Sequence, residues 1–302
     1  MDQVPVITID KLSKRYDGSK KFALKDLSIS VKKGEVFGFL GPNGAGKSTT
    51  IRMLLNVIQP TSGSAQIDNN DVVIDNVEVK KRIGYLSGDF RAYEKMTCGQ
   101  FFSYMQSLQP PKRKTYVDEL CKIFKIGQNK RIGDLSKGNK QKIGIIQAFM
   151  HEPDILILDE PTDGLDPLMQ QSFYDLVRKT KKNGVTFFIS SHNLAEVRKI
   201  CDRVAIIKDG KLVSQSRISD LTAEAAHTFI INFEGRLPGS ELNKIKGVKT
   251  ILVDENTLQV HVHGSLGPFL REIAKYNVTR LATQELSLED EFMRFYKTKE
   301  SR

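Results

Sequence analysis

The sequence predicts an α/β protein with a mostly parallel, doubly wound sheet and a smaller α+β piece at its C-terminal end. Three observations carry this. Short aliphatic runs alternate with segments of helical period, the pattern of β-α-β units. Several of those runs end in glycine, carboxylate or hydroxyl residues, as strands do where an open sheet holds a site at its carboxyl edge. After Leu221 the alternation gives way to closely spaced strands and two helices.

Residues 4–9 and 27–31 are β-branched or alternating runs and read as strands. Tyr16 lies between them. A flat ring there can stack on a base, and it can equally be packing at a strand end. Val36-Phe37-Gly38-Phe39-Leu40 is continuously apolar, which predicts a strand buried on both faces. Ile51, Leu54, Leu55 and Ile58 then recur at the spacing of one helix face. Between strand and helix stands Gly41-Pro42-Asn43-Gly44-Ala45-Gly46-Lys47-Ser48-Thr49, a G-x-x-x-x-G-K-S motif in the strand-to-helix context it requires. A helix start presents unpaired N–H groups and partial positive charge, and glycines let a polyphosphate approach them closely. Lys47 reaches the outer phosphates, the Ser48 hydroxyl suits Mg²⁺, and Thr49 sits beside it.

Residues 64–74 predict a hairpin, and Ile83-Gly84-Tyr85-Leu86 a short strand. From about Met96 to Ile126 the period is helical, with Phe101, Phe102, Met105 and Leu108 on one face and a break at Pro110-Pro111. Leu135-Ser136-Lys137-Gly138-Asn139 opens a helix that runs through Ile143 to Met150. Ile155 to Leu158 is an aliphatic strand that ends in Asp159 and Glu160. Buried strands rarely end in paired carboxylates without a cation nearby. Asp159 is placed to hold Mg²⁺ and Glu160 to orient and deprotonate an attacking water. Residues 168–182 read as a helix, 185–189 as the next buried strand, ending in Ser190-Ser191-His192. At that place His192 suits contact with a terminal phosphate or the attacking water. Asp209-Gly210 marks a hairpin between residues 204–207 and 212–213.

The chain has 302 residues, enough for one large or two modest domains, and a composition of 39% hydrophobic and 27% charged residues that is ordinary for a globular protein. No apolar run approaches a membrane span, and the start lacks the basic and apolar regions of a signal peptide. Three scattered cysteines, Cys98, Cys121 and Cys201, suit a reducing compartment and do not form a zinc pattern. Net charge is +10, and the stretch from Lys112 to Lys142 holds ten Lys/Arg against three Asp/Glu. That block reads either as a solvated face or as a surface for an acidic partner or lipid. No nucleic-acid motif accompanies it, so nucleic acid is not an expected partner.

Taken together in order, these motifs resemble the nucleotide-binding subunit of ATP-binding cassette (ABC) transporters, over roughly residues 4–222. Tyr16 matches the family's adenine-stacking aromatic, Gly41 to Thr49 its phosphate loop, and Leu135 to Asn139 its LSGGQ signature. Asp159 and Glu160 match the Mg²⁺-linked Asp and the catalytic Glu, Asp166 the loop that crosses to the partner subunit, and His192 the switch histidine. The resemblance implies a P-loop NTPase (RecA-like) core with an antiparallel β subdomain and an inserted helical subdomain at about 90–145, in a cassette of residues 1–222. It implies ATP and Mg²⁺ as ligands, and two cassettes head to tail, each nucleotide also meeting Ser136, Gly138, Asn139 and Asp166 of the other chain. The partners are then a second copy or another cassette subunit and a membrane-spanning permease, often of the ABC-2 export type, with this chain held at the cytoplasmic face of the membrane. Two positions depart from the family. Lys137 and Asn139 replace Gly and Gln in the signature, and Gly88, in Ser87-Gly88-Asp89, stands where a Mg²⁺-ligating Gln is usual, which leaves Asp89 as a possible substitute.

Residues 223–302 read as a small accessory domain. Strands are expected at 229–233, 248–253 and 258–262, a helix at 266–276, and a last helix from Ser287 carrying Phe292, Phe295 and Tyr296. The resemblance extends to this tail, similar to extensions of bacterial export cassettes. His261 and His263 alternate on one strand and are too few for a metal site. The rival reading is a soluble cassette ATPase acting on ribosomes or nucleic acid. Such proteins usually carry two cassettes or long coiled coils, and this sequence has neither.

Overall fold

The structure, a computed structural model, describes residues 4–113, 115–220, 227–238, 241–262 and 264–284. It divides into two units, Met1–Ser216 and Arg217–Arg302.

In the first unit the strands are β1 (Pro5–Lys14), β2 (Leu24–Lys32), β3 (Val36–Leu40), β4 (Ser62–Ile67), β5 (Asn70–Asp71), β6 (Ile83–Leu86), β7 (Ile155–Asp159), β8 (Thr186–Ser191), β9 (Arg203–Lys208) and β10 (Lys211–Arg217), the last of which runs into the second unit. Its helices are α1 (Lys47–Leu54), α2 (Asn76–Lys81), α3 (Cys98–Leu108), α4 (Tyr116–Phe124), α5 (Lys137–Phe149), α6 (Pro167–Lys182) and α7 (Leu194–Ile200). One sheet is antiparallel, in the order β2-β1-β4-β5; the other has the order β10-β9-β3-β8-β7-β6. In the second sheet β3, β6, β7, β8 and β9 run parallel, and every residue of β3, β7 and β8 is buried. The apolar runs are therefore central strands covered on both faces, as their lack of alternation requires.

Helix α1 lies in the core shared by the two sheets. Ile51, Met53 and Leu54 pack with Ile7, Ile9 and Ile67 of the antiparallel sheet and with Phe39, Ile157 and Phe188 of the parallel one. That packing fixes the start of α1 against the carboxyl ends of the parallel strands. The register does the rest: Leu40 is level with Ser191, and Ser190 with Asp159.

Local departures from the expected elements have local causes. Helix α1 stops at Leu54 and does not reach Ile58, because Asn56 adopts a left-handed φ of 49°, a common way to end a helix. The hairpin after β4 turns at Asp68 and Asn69, both left-handed, but its second strand ends at Asp71, whose Oδ1 accepts from Val73 N and Ile74 N and curls the chain away. Helices α2 and α7 were not expected from periodicity, both being under eight residues long. Among the described residues no helix is long and apolar enough to cross a membrane.

The second unit has β11 (His227–Phe233), β12 (Val248–Asp254), β13 (Thr257–Val262), helix α8 (Gly267–Ile273) and β14 (Val278–Gln284). The sheet order is β12-β13-β11-β14, antiparallel throughout. Phe229, Ile231, Val260, Val262, Phe269 and Ile273 build its own core. Strand β14 is additional to the expected set; its residues Val278-Thr279-Arg280-Leu281 are not strongly apolar. His261 Nδ1 and Thr228 Oγ1 are hydrogen-bonded at 2.9 Å, across the β11–β13 pair. His263 and the expected helix from Ser287 through Phe292, Phe295 and Tyr296 lie outside the described residues.

Candidate active site

The phosphate loop joins β3 to α1. Gly46 is the N-cap of α1 at φ 107°, and no described side chain caps the helix. A Cβ at Gly46 would lie 2.6 Å from the Ala23 carbonyl, and one at Gly41 would lie 2.4 Å from that of Ile207. Glycine is thus required at both places by conformation or by close approach. The helix start keeps its free N–H groups and positive end for an anion. Lys47, 6% exposed, folds back along the loop: its Nζ donates to Gly41 O at 2.6 Å and Pro42 O at 3.2 Å and lies 3.1 Å from Glu160 Oε1. At the other end of the loop, Tyr16 OH is 3.4 Å from Thr49 Oγ1, with the Tyr16 ring 40% exposed.

The carboxylates follow β7. Asp159 is buried, and Ser190 Oγ donates to its Oδ1. Glu160 adopts a left-handed φ of 49°, a conformation that costs a non-glycine residue about 1 kcal/mol or more and persists only when its surroundings enforce it. Here Glu160 N donates to Ser190 O at 3.2 Å and to Ser190 Oγ at 3.1 Å. The turn so formed aims the side chain across the sheet edge. Glu160 Oε2 accepts from His192 N at 3.3 Å and lies 2.8 Å from His192 Nδ1, while Oε1 has Lys47 for its neighbour. His192 is about half exposed.

A Cβ at Gly88 would lie 3.2 Å from Asp159 Oδ2, so the segment where the family has Gln does run beside the buried carboxylate. Asp89 is exposed and pairs with Arg91 at 2.9 Å; no contact joins it to Asp159 among the described residues. The same residues contain no group of three or more His, Cys, Asp or Glu able to hold a metal by themselves. The hard oxygen donors of Ser48 and Asp159 fit a Mg²⁺ that also takes phosphate oxygens.

A second cluster forms at the start of α5. Ser136 is the N-cap, its Oγ accepting from Asn139 N at 3.4 Å. Lys137 Nζ pairs with Asp163 Oδ2 at 2.7 Å, and a Cβ at Gly138 would lie 2.5 Å from Gly164 O, so helix and loop are in close backbone contact. Asp166 caps α6, accepting from Met169 N at 3.0 Å. The residues expected from the sequence thus gather into two groups: Tyr16, residues 41–49, Asp159, Glu160 and His192 in one, Ser136, Gly138, Asn139 and Asp166 in the other. Gln141, which sequence reading passed over, links them, donating to Glu160 O at 3.2 Å and Pro161 O at 3.1 Å. Ser190 was likewise read only as the end of a strand. The signals available were an amide two residues before Ile143 in a helical segment and a hydroxyl closing an apolar strand.

A family model described as ABC transporter matches residues 24–163. The ABC transporter ATP-binding protein NatA of Bacillus subtilis is 37% identical over 224 residues, covering 72% of this chain and 91% of NatA. The ABC transporter ATP-binding protein YhcH of the same organism is 30% identical over 296 residues, 95% of each chain. Among solved structures, cbiO1 of Clostridium perfringens, described as part of the ABC transporter complex cbiONQ, superposes with a TM-score of 0.62 at 28% identity, over 73% of this chain and 91% of that one. The chain therefore belongs to the ATP-binding subunits of ABC transporters and is an ATPase built on their cassette fold.

Proposed function

We propose that this chain binds MgATP between two cassettes set head to tail and hydrolyses it to drive export of the ABC-2 type through a separate membrane-spanning partner, from the cytoplasmic face of the membrane. The observation that carries the catalytic part is the convergence of Lys47, Glu160 and His192 at the uncapped start of α1. In this reading the loop N–H groups and Lys47 bind the phosphates, and Tyr16 stacks on the base. Ser48 and Asp159 hold Mg²⁺, which, when bound, neutralises phosphate charge. Glu160 accepts a proton from the attacking water, and His192 fixes the Glu160 side chain and meets the terminal phosphate. Ser136, Gly138, Asn139 and Asp166 serve the nucleotide of the other chain. Once α5 meets that nucleotide, ATP bridges the two subunits, and its loss releases them.

Partner docking has a surface in the first unit. A cleft of about 290 Å³ is lined by Leu55, Val57, Tyr85, Met105, Leu108 and Met150. Val57 and Leu108 are 63% and 64% exposed, unusual for large apolar side chains clustered together. The cbiO1 likeness, a subunit of a larger complex, supports a separate partner. We assign residues 1–222 to the cassette and 223–302 to an accessory domain; the YhcH likeness across 95% of each chain supports the pairing of these parts.

Glu160→Gln is the test. ATP binding is expected to persist while turnover falls about 10²–10⁴-fold, and sizing in MgATP should show a trapped dimer. Turnover at the normal rate would remove Glu160 from its role. Affinity purification from gently solubilised membranes tests transport: a multi-span membrane protein in near-equal amount supports it, and ribosomes or nucleic acid alone would favour the rival.

A further inference from the structure

Glu196, on α7, is a carboxylate only 3% exposed and so far without a role. Its Oε2 accepts from Ser191 Oγ at 2.6 Å and its Oε1 from Thr162 Oγ1 at 2.9 Å. Burial raises its pKa, and the two hydroxyls pull it down. The two donors sit at telling places. Ser191 directly precedes His192, and Thr162 follows Glu160 by two residues. The Ser191 turn is held further by Asn193 N, which donates to Ser191 Oγ at 3.0 Å, and by Ser191 O, which accepts from Gly41 N of the phosphate loop at 3.1 Å. The Thr162 side, by contrast, leads out of the strained Glu160 backbone.

We infer that Glu196 is a positioning residue for ATP hydrolysis: its two carboxylate oxygens staple the segment that carries Glu160 to the turn that carries His192, and so hold the 2.8 Å contact between them. This rests on the roles proposed above for Glu160 and His192. A buried carboxylate is costly unless it is hydrogen-bonded; here both oxygens are, and each bond spans a different loop. A displacement of the general base by an ångström is enough to lower the rate of a positioned reaction substantially.

The experiment is steady-state ATPase kinetics of the full chain. Glu196→Ala is expected to lower kcat about 10- to 100-fold while KM for ATP stays within about threefold, as for a loss confined to the chemical step. Glu196→Gln keeps an acceptor for Thr162 and offers a donor to Ser191, so it should recover most of the rate. Thr162→Val, which removes one staple and keeps the side-chain volume, should fall between wild type and Glu196→Ala, and it carries the test if the alanine variant folds poorly. In a Glu160→Gln background Glu196→Ala should cause no further loss, because the group it positions is gone. Equal damage to kcat and KM, no gain from Gln over Ala, or fully additive losses would overturn the inference. Glu160-dependent turnover that is unchanged in Glu196→Ala would sink this inference alone, whereas turnover indifferent to Glu160→Gln would sink the reading beneath it.

Discussion

Two helices in the first unit begin at glycine- or serine-rich turns, and their N-termini are prepared differently. At α1 the N-cap is the left-handed Gly46, no described side chain caps the amides, and the first helical residue is Lys47, 6% exposed and ion-paired with Glu160. At α5 the N-cap is Ser136, whose Oγ occupies Asn139 N, and the first helical residue is Lys137, 78% exposed and paired with Asp163. The first start is shaped to take an anion within its own chain, with a buried cation beside it. The second is capped by its own side chain and faces outward, so an incoming phosphate must compete with the Ser136 hydroxyl for an N–H. On the function proposed above, the difference fits α1 binding a nucleotide within its own chain and α5 engaging one presented by another chain.

Substitutions can break that contrast, starting with the largest effect. Lys47→Ala should lower ATP affinity by about 100-fold or more, since a buried charge-assisted contact to phosphate is lost, as read by equilibrium binding. Affinity within threefold of wild type would mean that the α1 N–H groups suffice alone. Ser136→Ala should leave ATP binding by isolated subunits intact, lower turnover about tenfold, and cost about 1 kcal/mol of stability through the lost cap; thermal unfolding with and without MgATP separates the two effects. A loss of binding in dilute monomer would place α5 at the chain's own nucleotide. Asp89→Ala should change Mg²⁺-dependent turnover less than twofold, because Asp89 is exposed and pairs with the exposed Arg91, and such pairs contribute roughly 0–1 kcal/mol. A tenfold loss, reversed by raising Mg²⁺, would return Asp89 to the metal site.

Much of this was legible in the sequence because it is local. The apolar runs at 36–40 and 155–158 had to be covered on both faces, and they are central strands. The hairpin expected over residues 64–74 turns at the left-handed Asp68 and Asn69, and the signal Asp209-Gly210 is likewise a pair of left-handed residues. The basic stretch from Lys112 to Lys142 was ambiguous by composition. In the structure Lys112, Arg113, Lys137 and Lys140 each meet an acidic residue from outside that stretch, which pairing at a distance hid from the sequence. Short helices such as α7 escaped because seven residues give too little periodicity, although Asn193 caps it by accepting from Ala195 N and Glu196 N.

By itself the sequence determined the order of elements, the strand-loop-helix that can cradle phosphates and the carboxylates closing an aliphatic strand, because each depends on neighbours within a few residues. Only the tertiary structure decided which of these groups meet. Parallel pairing of β3, β7 and β8 sets Leu40, Asp159 and Ser190-Ser191 side by side, and Glu160 then holds its left-handed backbone through bonds to Ser190 and Gln141. Lys47, Glu160 and His192 come within 3.1 Å of one another in succession although more than a hundred residues separate the first from the second. Parallel pairing of β6 with β7 sets Gly88 against Asp159 and leaves Asp89 to Arg91. Strand register and a strained turn are collective properties of distant segments, and no window of the sequence contains them.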